Sequence, residues 1–197
     1  MRHDHEDWLA NAQEGMSRRQ FLAAASVTSA TLAGFAIASN PVAGEVITTP
    51  ATGLTVADGT VTVAGFSVPT YTARPAAGGS FPIVLVIPEV WGMHEHIQDM
   101  ARRFAHVGYL AVTFEPYARE GGTKQLPDQA QVMKVANSAP DQQVMTDLDA
   151  VLAATKQVPG ARPDRVGVTG FCRGGMYTLL YAAHNPEVKA AVPWYGP

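Results

Sequence analysis

The sequence predicts an α/β fold, in which a mostly parallel sheet carries helices on both faces and follows an antiparallel hairpin. Two observations favour this class. Residues 83–87 form the run Ile-Val-Leu-Val-Ile, and continuous β-branched and aliphatic residues are typical of a strand buried on both faces. Three later strand-like segments alternate with segments of helical periodicity, which favours an open sheet with right-handed crossovers. Reactive groups in such sheets gather outside the carboxyl ends of the strands.

The hairpin is predicted from two short alternating stretches, residues 60–64 and 67–73, which Gly65 and Phe66 separate. The elements after the buried strand are a helix at about 95–107, a strand at 109–114, a helix at about 141–156, a strand at 165–169, a helix at about 174–184 and a strand at 188–194. The stretch between the strand at 109–114 and the helix at about 141–156 is rich in Gly, Pro and Gln and is predicted to be a loop.

The helix at about 95–107 is predicted to be amphipathic. Its apolar residues recur at helical spacing, and they are Ile97, Met100, Ala101, Phe104 and Ala105. Asp99, Arg102 and Arg103 lie on the other face. The apolar face is therefore expected to pack on the sheet.

The composition excludes several classes of function. The chain has 197 residues, a formal net charge of −3 and 16% charged residues, a balance that argues against a nucleic-acid partner. Its one cysteine excludes an internal disulfide framework and a zinc site built on several thiolates. Any cysteine chemistry is therefore that of a lone thiol.

The first 38 residues have the features of a twin-arginine export signal. Arg18 and Arg19 precede an Ala-rich, uncharged run, and Ala36-Ile37-Ala38 forms a small-x-small cleavage site. The alternative is a retained membrane anchor, but the run is too weakly apolar for a stable membrane span. We therefore expect the twin-arginine export machinery as a partner, a periplasmic or otherwise exported location, and cleavage after Ala38. Residues 39–59 are predicted to be an irregular linker, and residues 60–197 an incomplete α/β domain.

Residues 170–174 form the pattern G-x-C-x-G between a predicted strand and a predicted helix, which is the context of a nucleophile elbow. Side chains two positions before and after a strained turn would collide, so glycine is expected at Gly170 and Gly174. The helix dipole and Arg173 are expected to favour the thiolate of Cys172. The alternative is a buried structural cysteine beside glycines that allow close packing.

Three motifs together resemble the dienelactone hydrolases (carboxymethylenebutenolidases), α/β-hydrolases whose nucleophile is a cysteine. The motifs are Pro88-Glu89-Val90-Trp91-Gly92, Pro116-Tyr117-Ala118-Arg119 and Gly170-Phe171-Cys172-Arg173-Gly174-Gly175. The resemblance covers residues 60–197. It implies Cys172 as the nucleophile and Glu89 as the carboxylate that contacts the thiol and takes its proton. It also implies Arg119 as a clamp on a substrate carboxylate, an oxyanion hole formed by the backbone N–H groups of Val90 and Arg173, and no cofactor.

Physical arguments accompany these assignments. Glu89 follows a buried apolar run, where partial desolvation makes a carboxylate a better base, although a salt bridge to a loop cation is the alternative. The planar fork of the Arg119 guanidinium suits binding of a substrate carboxylate, although a loop arginine is more often solvated.

Trp91 is expected either to line the substrate pocket or to pack beside the core strand. His94 and His96 lack further metal ligands nearby, so a metal site is not predicted.

An acid and a histidine that complete a catalytic triad are expected after the nucleophile in this fold. The only acid after Cys172 is Glu187, and the only histidine is His184. At ~1.5 Å of rise per residue, His184 is expected roughly 15 Å from the thiol, at the far end of the helix. The sequence therefore predicts a piece of a longer hydrolase, with the last strands missing, an uncovered apolar edge, low stability and weak activity at best.

The expected function is hydrolysis of a small lactone or ester, preferably one carrying a carboxylate, through an acyl-enzyme on Cys172. A second hypothesis is a non-catalytic module that kept the fold without a working triad. A redox-sensing thiol is a third hypothesis, and the lack of a resolving cysteine disfavours it.

Overall fold

A computed structural model of the chain describes residues 48–196. Its strands are β1 (Leu54–Val63), β2 (Phe66–Pro75), β3 (Phe81–Ile87), β4 (Leu110–Phe114), β5 (Ala161–Phe171) and β6 (Val188–Trp194). Its α-helices are α1 (Glu95–His106), α2 (Gln129–Ser138), α3 (Asp141–Thr155) and α4 (Arg173–His184), and a short 3-10 helix spans Ala118–Glu120. No helix within residues 48–196 is long and apolar enough to cross a membrane.

The strands form one six-stranded sheet in the order β1-β2-β4-β3-β5-β6. The β1–β2 and β2–β4 pairs are antiparallel, whereas β4, β3, β5 and β6 run parallel. The prediction of a mostly parallel sheet preceded by an antiparallel hairpin is confirmed.

The central strand β3 is buried on both sides, as its sequence predicted. Ile83, Leu85 and Ile87 belong to the larger core cluster, together with residues of α2, α3 and α4. Val84 and Val86 belong to a second cluster with residues of α1. Because neighbouring strand residues point to opposite faces, one continuous apolar run serves both layers of helices.

The first strand is longer than predicted. Residues 54–59 were assigned to the linker at 39–59, but they form the first half of β1 and pair with β2 along its whole length. This half of the strand is almost entirely exposed, so it has no buried apolar alternation that sequence patterning could detect. Residues 39–47 and the predicted signal at 1–38 lie outside the described part of the chain.

A second difference is helix α2, which lies where a loop was predicted. Only Val132 and Ala136 of this helix are fully buried, so its apolar face is narrow. Its start is fixed by Asp128, whose side chain accepts a hydrogen bond from the backbone N–H of Gln131 at 2.8 Å. That N-cap aspartate is the sequence signal that identifies the helix.

The polar face of α1 is also buried in part. Asp99 is 0% exposed, and Arg102 is 6% exposed. The cause is the segment before β1, because Thr49 donates its N–H to Asp99 and accepts a hydrogen bond from Nε of Arg102 at 2.9 Å. Residues 48–50 therefore form a strap across the helix, which the helical periodicity of α1 does not show.

The last strand, β6, lies at one edge of the sheet and presents apolar side chains to solvent. Val192 and Trp194 are each 49% exposed, and Tyr195 is 48% exposed. An apolar edge of this kind was expected from the sequence.

Candidate active site

Cys172 lies at the tip of a sharp turn between β5 and α4. Its φ of +53° and ψ of −122° are rarely adopted by a residue with a side chain, so the backbone is strained there. The N–H of Cys172 donates to the carbonyl of Trp194 at 3.0 Å, which holds the turn against the end of β6. The turn has the form that the G-x-C-x-G pattern predicted.

The two flanking glycines are required by close backbone contacts. A Cβ at Gly170 would lie 2.2 Å from the carbonyl oxygen of Gly174. A Cβ at Gly174 would lie 2.4 Å from the carbonyl oxygen of Ile87. Both distances are well inside van der Waals contact, so the turn packs against β3 only because these side chains are missing.

The thiol of Cys172 is half-buried and has two backbone N–H donors beside it. Burial raises its pKa, the N–H groups of Arg173 and Val90 and the Arg173 charge oppose that rise, and the charge of Glu89 adds to it. The net effect is a pKa above the ordinary value. The Arg173 charge does favour the thiolate, as predicted, but burial and the Glu89 charge outweigh it, so the structure favours the thiol over the activated thiolate expected from the sequence.

The side chain of Arg173 explains part of this result. Its Nε donates to the hydroxyl of Tyr177 at 3.0 Å, and its Nη1 donates to Oδ1 of Asn137 at 2.7 Å. Its guanidinium also lies over the Tyr177 ring, 5.5 Å from the centroid. The hydrogen bonds of the guanidinium are therefore made to α2 and α4, while its charge still lowers the pKa of Cys172.

Glu89 lies directly after β3 and is 7% exposed. Its Oε2 accepts a hydrogen bond from Nε2 of His94 at 3.1 Å. The sequence left open a salt bridge between Glu89 and a loop cation, and the partner in the structure is the imidazole of His94. The charge of Glu89 raises the pKa of Cys172, so this carboxylate acts on the thiol, and its role as the base stays a prediction.

Glu115 is a partly buried carboxylate directly after β4, and the sequence analysis gave it no role. It accepts hydrogen bonds from the N–H groups of Met93, at 2.8 Å, and Tyr117, at 3.1 Å. Burial raises its pKa, and those two hydrogen bonds oppose the rise. A Cβ at Gly92, which has φ of +71°, would lie 2.3 Å from Oε2 of Glu115. Glu115 thus fixes the loop that carries Glu89 and Val90.

Tyr195 also belongs to this neighbourhood, although the sequence did not single it out. Burial, followed by the charges of Glu89 and Cys172, raises the pKa of Tyr195 to about 12. Its ring lies 6.5 Å from that of Phe171, between centroids. The sequence feature that could have identified Tyr195 as a site residue is its position directly after β6, at the carboxyl edge of the sheet.

Arg119 lies in the 3-10 helix after β4 and has protein partners. Nη1 donates to Oδ2 of Asp147, and Nη2 donates to the carbonyl of Val63 at 3.2 Å. The guanidinium lies over the Phe66 ring, 4.8 Å from its centroid. Its role as a carboxylate clamp stays a prediction, and a substrate would have to compete with Asp147.

Trp91 is partly buried and packs against the larger core cluster, which agrees with the packing alternative for this residue.

His184 pairs with Asp149, with Nε2 and Oδ2 2.7 Å apart, and Glu187 pairs with Lys156. Both pairs are at the end of α4 remote from Cys172, as predicted. Among residues 48–196, no group of three or more His, Cys, Asp or Glu side chains is arranged to hold a metal ion.

A potential nucleophile on a strained strand-to-helix turn, at the carboxyl edge of a mostly parallel sheet, defines an α/β-hydrolase-like protein. The model of the dienelactone hydrolase family matches residues 68–197. The chain belongs to the dienelactone hydrolase family.

Individual relatives agree with this family. The chain is 46% identical over 187 residues to a carboxymethylenebutenolidase homologue of Methylorubrum extorquens, covering 94% of this chain and 62% of that protein. It is 44% identical over 165 residues to a homologue of Salmonella typhimurium, covering 83% of this chain and 61% of that protein. The chain therefore spans about three-fifths of the length of these relatives.

Solved structures show the same fold. A dienelactone hydrolase homologue of Klebsiella pneumoniae has a TM-score of 0.69 and 43% identity, covering 73% of this chain and 60% of that chain. A dienelactone hydrolase-like promiscuous phosphotriesterase from metagenomic libraries has a TM-score of 0.64 and 24% identity, with the same coverage of the two chains. The second likeness concerns the fold alone.

Proposed function

We propose that this protein is a hydrolase of small lactones or esters that uses Cys172 as its nucleophile and passes through an acyl-enzyme. The observation that carries the proposal is the position of the Cys172 thiol on a strained turn, beside two backbone N–H donors and the Glu89 carboxylate. Family membership supports a hydrolase of this type.

The chemistry starts from the neutral thiol. Substrate binding brings a carbonyl carbon to Sγ of Cys172, and the thiol proton moves to Glu89 as the sulfur attacks. The N–H groups of Val90 and Arg173 stabilise the carbonyl oxygen as it becomes negative. The C–O bond of the ester then breaks, its oxygen leaves with a proton, and the acyl group remains on sulfur. Water hydrolyses the thioester and regenerates the thiol.

The neutral resting thiol supports hydrolysis over redox sensing. Thiolates are the oxidisable form of cysteine, and the raised pKa of Cys172 lowers the thiolate fraction at neutral pH. A thiol that ionises only as substrate arrives is protected from oxidation outside the cytoplasm.

We include in the proposal an acid and a histidine that assist hydrolysis of the acyl-enzyme. His184 is paired with Asp149 and does not serve Cys172. The chain spans about three-fifths of its relatives' length. We propose that sequence beyond residue 197 supplies the two groups, and that the 197-residue chain acylates faster than it turns over.

We also propose that the protein is exported by the twin-arginine machinery with a signal at residues 1–38. The paired Arg18 and Arg19 support this, together with the uncharged Ala-rich run after them. Replacing both arginines with lysine should retain the protein in the cytoplasm, as measured by cell fractionation. Unchanged export of that variant would contradict the proposal.

The test of the hydrolase proposal is rapid mixing of the purified 197-residue chain with p-nitrophenyl acetate. We expect a burst of nitrophenolate that approaches one equivalent per chain, followed by a slow phase. The matched control is Cys172→Ser, which keeps the turn and replaces sulfur with a hydroxyl, and we expect it to lose the burst. A chain with no burst would be the non-catalytic module that the sequence also allowed.

A further inference from the structure

The carboxylate next to the nucleophile is held by an imidazole from its own loop. Nε2 of His94 and Oε2 of Glu89 are 3.1 Å apart, and only 10% of the Glu89 side chain and 23% of the His94 side chain are exposed. His94 is also the N-cap residue of α1, yet its side chain makes no capping hydrogen bond. The ring is therefore directed to Glu89 instead of to the helix.

We propose that His94 is a positioning residue for the hydrolase reaction: it holds the Glu89 carboxylate beside the Cys172 thiol by donating a hydrogen bond to Oε2. This inference rests on the proposed function, since it assigns a second partner to the same nucleophile. A hydrogen bond to a charged group is stronger than one between neutral groups and fixes the carboxylate's orientation.

The proposal specifies the path of the thiol proton. His94 occupies Oε2 of Glu89, so Oε1 is the oxygen that accepts the proton from Sγ of Cys172. The S–H bond breaks as the bond from sulfur to the acyl carbon forms. The proton then passes from Glu89 to the departing oxygen when the C–O bond breaks. No other reactant is needed, because one ester and one thiol become one thioester and one alcohol.

Other ionisable groups face this pair or the thiol from the neighbouring elements. The Glu115 carboxylate faces His94 from the end of β4, and the charges of His94 and Lys124 oppose the rise of the Glu115 pKa. The Tyr195 hydroxyl faces Glu89 and the thiol from the end of β6. The Arg173 charge acts on the thiol from the first turn of α4. His96 stacks on the His94 ring, with centroids 6.1 Å apart.

The test measures alkylation of Cys172 by iodoacetamide as a function of pH, which requires no hydrolase activity. The His94→Ala variant should alkylate roughly fivefold faster at neutral pH, because a Glu89 carboxylate that is no longer held beside the thiol disfavours the thiolate less. The Glu89→Gln variant should alkylate faster. Adding His94→Ala to Glu89→Gln should change nothing further, because His94 acts only through Glu89.

A conservative variant and a neighbouring control separate this role from a structural one. The amide of His94→Gln can still donate to Glu89, so we expect this variant to alkylate at nearly the wild-type rate. His96→Ala removes a histidine that has no hydrogen bond to Glu89 and should leave the pH profile unchanged. If His94→Ala does not fold, the His94→Gln and His94→Asn pair makes the same comparison, because the asparagine side chain is too short to reach the carboxylate.

Two results would overturn the assignment of His94. One is an equal alkylation rate in wild type and His94→Ala, and the other is the same change of rate by His94→Ala with and without Glu89→Gln. Acylation by p-nitrophenyl acetate gives the second readout, and we expect His94→Ala to slow it about tenfold. If wild type is not acylated at all, the proposed function fails, but the alkylation comparison still decides whether His94 acts on Cys172 through Glu89.

Discussion

Arg119 and Asp147 form an ion pair that ties the turn after β4 to helix α3, and only 1% of Asp147 is exposed. Burial raises the pKa of Asp147, and the Arg119 guanidinium opposes that rise. A substrate carboxylate that took Arg119 from Asp147 would leave a buried charge without its partner, a change that costs about 3–5 kcal/mol in proteins. We therefore propose that neutral esters are better substrates than the carboxylate-bearing ones expected from the sequence.

Replacing Asp147 with asparagine should release the charge of Arg119 for an anionic substrate. We expect the ratio of acylation rates for p-nitrophenyl hemisuccinate over p-nitrophenyl acetate to rise about tenfold, which corresponds to ~1.4 kcal/mol. Asp149→Asn is the matched control, because Asp149 is on the same helix but pairs with His184. An unchanged ratio in Asp147→Asn would show that Arg119 does not bind substrate carboxylates.

Gly174 should be intolerant of a side chain. A Cβ there would lie 2.4 Å from the carbonyl oxygen of Ile87, so Gly174→Ala must push α4 away from β3 and should lower the free energy of unfolding by about 3 kcal/mol or more. At Gly167, on β5, the nearest atom to a Cβ would be 3.7 Å away, so Gly167→Ala should change stability by less than about 1 kcal/mol. Urea unfolding measures both values. Equal losses would show that the elbow is not closely packed.

The strap at residues 48–50 should stabilise the fold above about pH 4, and this contribution should be lost in acid. Burial alone would raise the pKa of Asp99, but hydrogen bonds from Thr49 and Arg103 outweigh it and lower that pKa. A lowered pKa in the folded state stabilises the protein above the unfolded value, about pH 4, and that contribution is lost as the pH falls further. Asp99→Asn should therefore unfold at lower urea concentrations at pH 6 and show a weaker loss of stability below pH 4.

The matched control for the strap is Asp58→Asn, because Asp58 is exposed on β1. We expect its urea midpoint to follow that of wild type at each pH. If Asp99→Asn also follows wild type, residues 48–50 do not stabilise the folded state through Asp99.

Cys172 should react as a hindered neutral thiol. Burial raises its pKa, and the Glu89 charge adds to that effect, so iodoacetamide should react more slowly at neutral pH than with a free cysteine-containing peptide. The midpoint of the pH profile should lie above that of the peptide. A midpoint below the peptide's would indicate an activated resting thiolate and would restore the expectation drawn from the G-x-C-x-G pattern.

The parts of the fold that the sequence predicted are those determined by local patterns. The apolar run of β3 and the Gly170–Gly174 spacing each encode a physical requirement that acts within a few residues, and both agree with the structure. The missed parts depend on distant partners. The burial of Asp99 requires Thr49, fifty residues away, and the state of Arg119 requires Asp147, twenty-eight residues away. The sequence around Asp99 and the sequence around Arg119 contain no periodicity that indicates a contact with so distant a residue.

The ionisation state of Cys172 could not be predicted for a related reason. The sequence places a helix N-terminus and Arg173 next to the sulfur, and both favour a thiolate. Whether they prevail depends on how deeply the thiol is buried and where the Arg173 side chain points. The guanidinium donates to Tyr177 and Asn137, and burial, the largest influence on the thiol, outweighs its charge and raises the pKa of Cys172.

The most direct test of the central claim is to locate the acyl group after the 197-residue chain has been mixed with p-nitrophenyl acetate and quenched in acid. Peptide mapping by mass spectrometry should find one acetyl group on the peptide that contains Cys172, and none on that peptide in Cys172→Ser within the same time. Acetylation confined to lysines, or an unmodified Cys172 in a chain that releases nitrophenolate, would contradict the assignment of this thiol as the nucleophile.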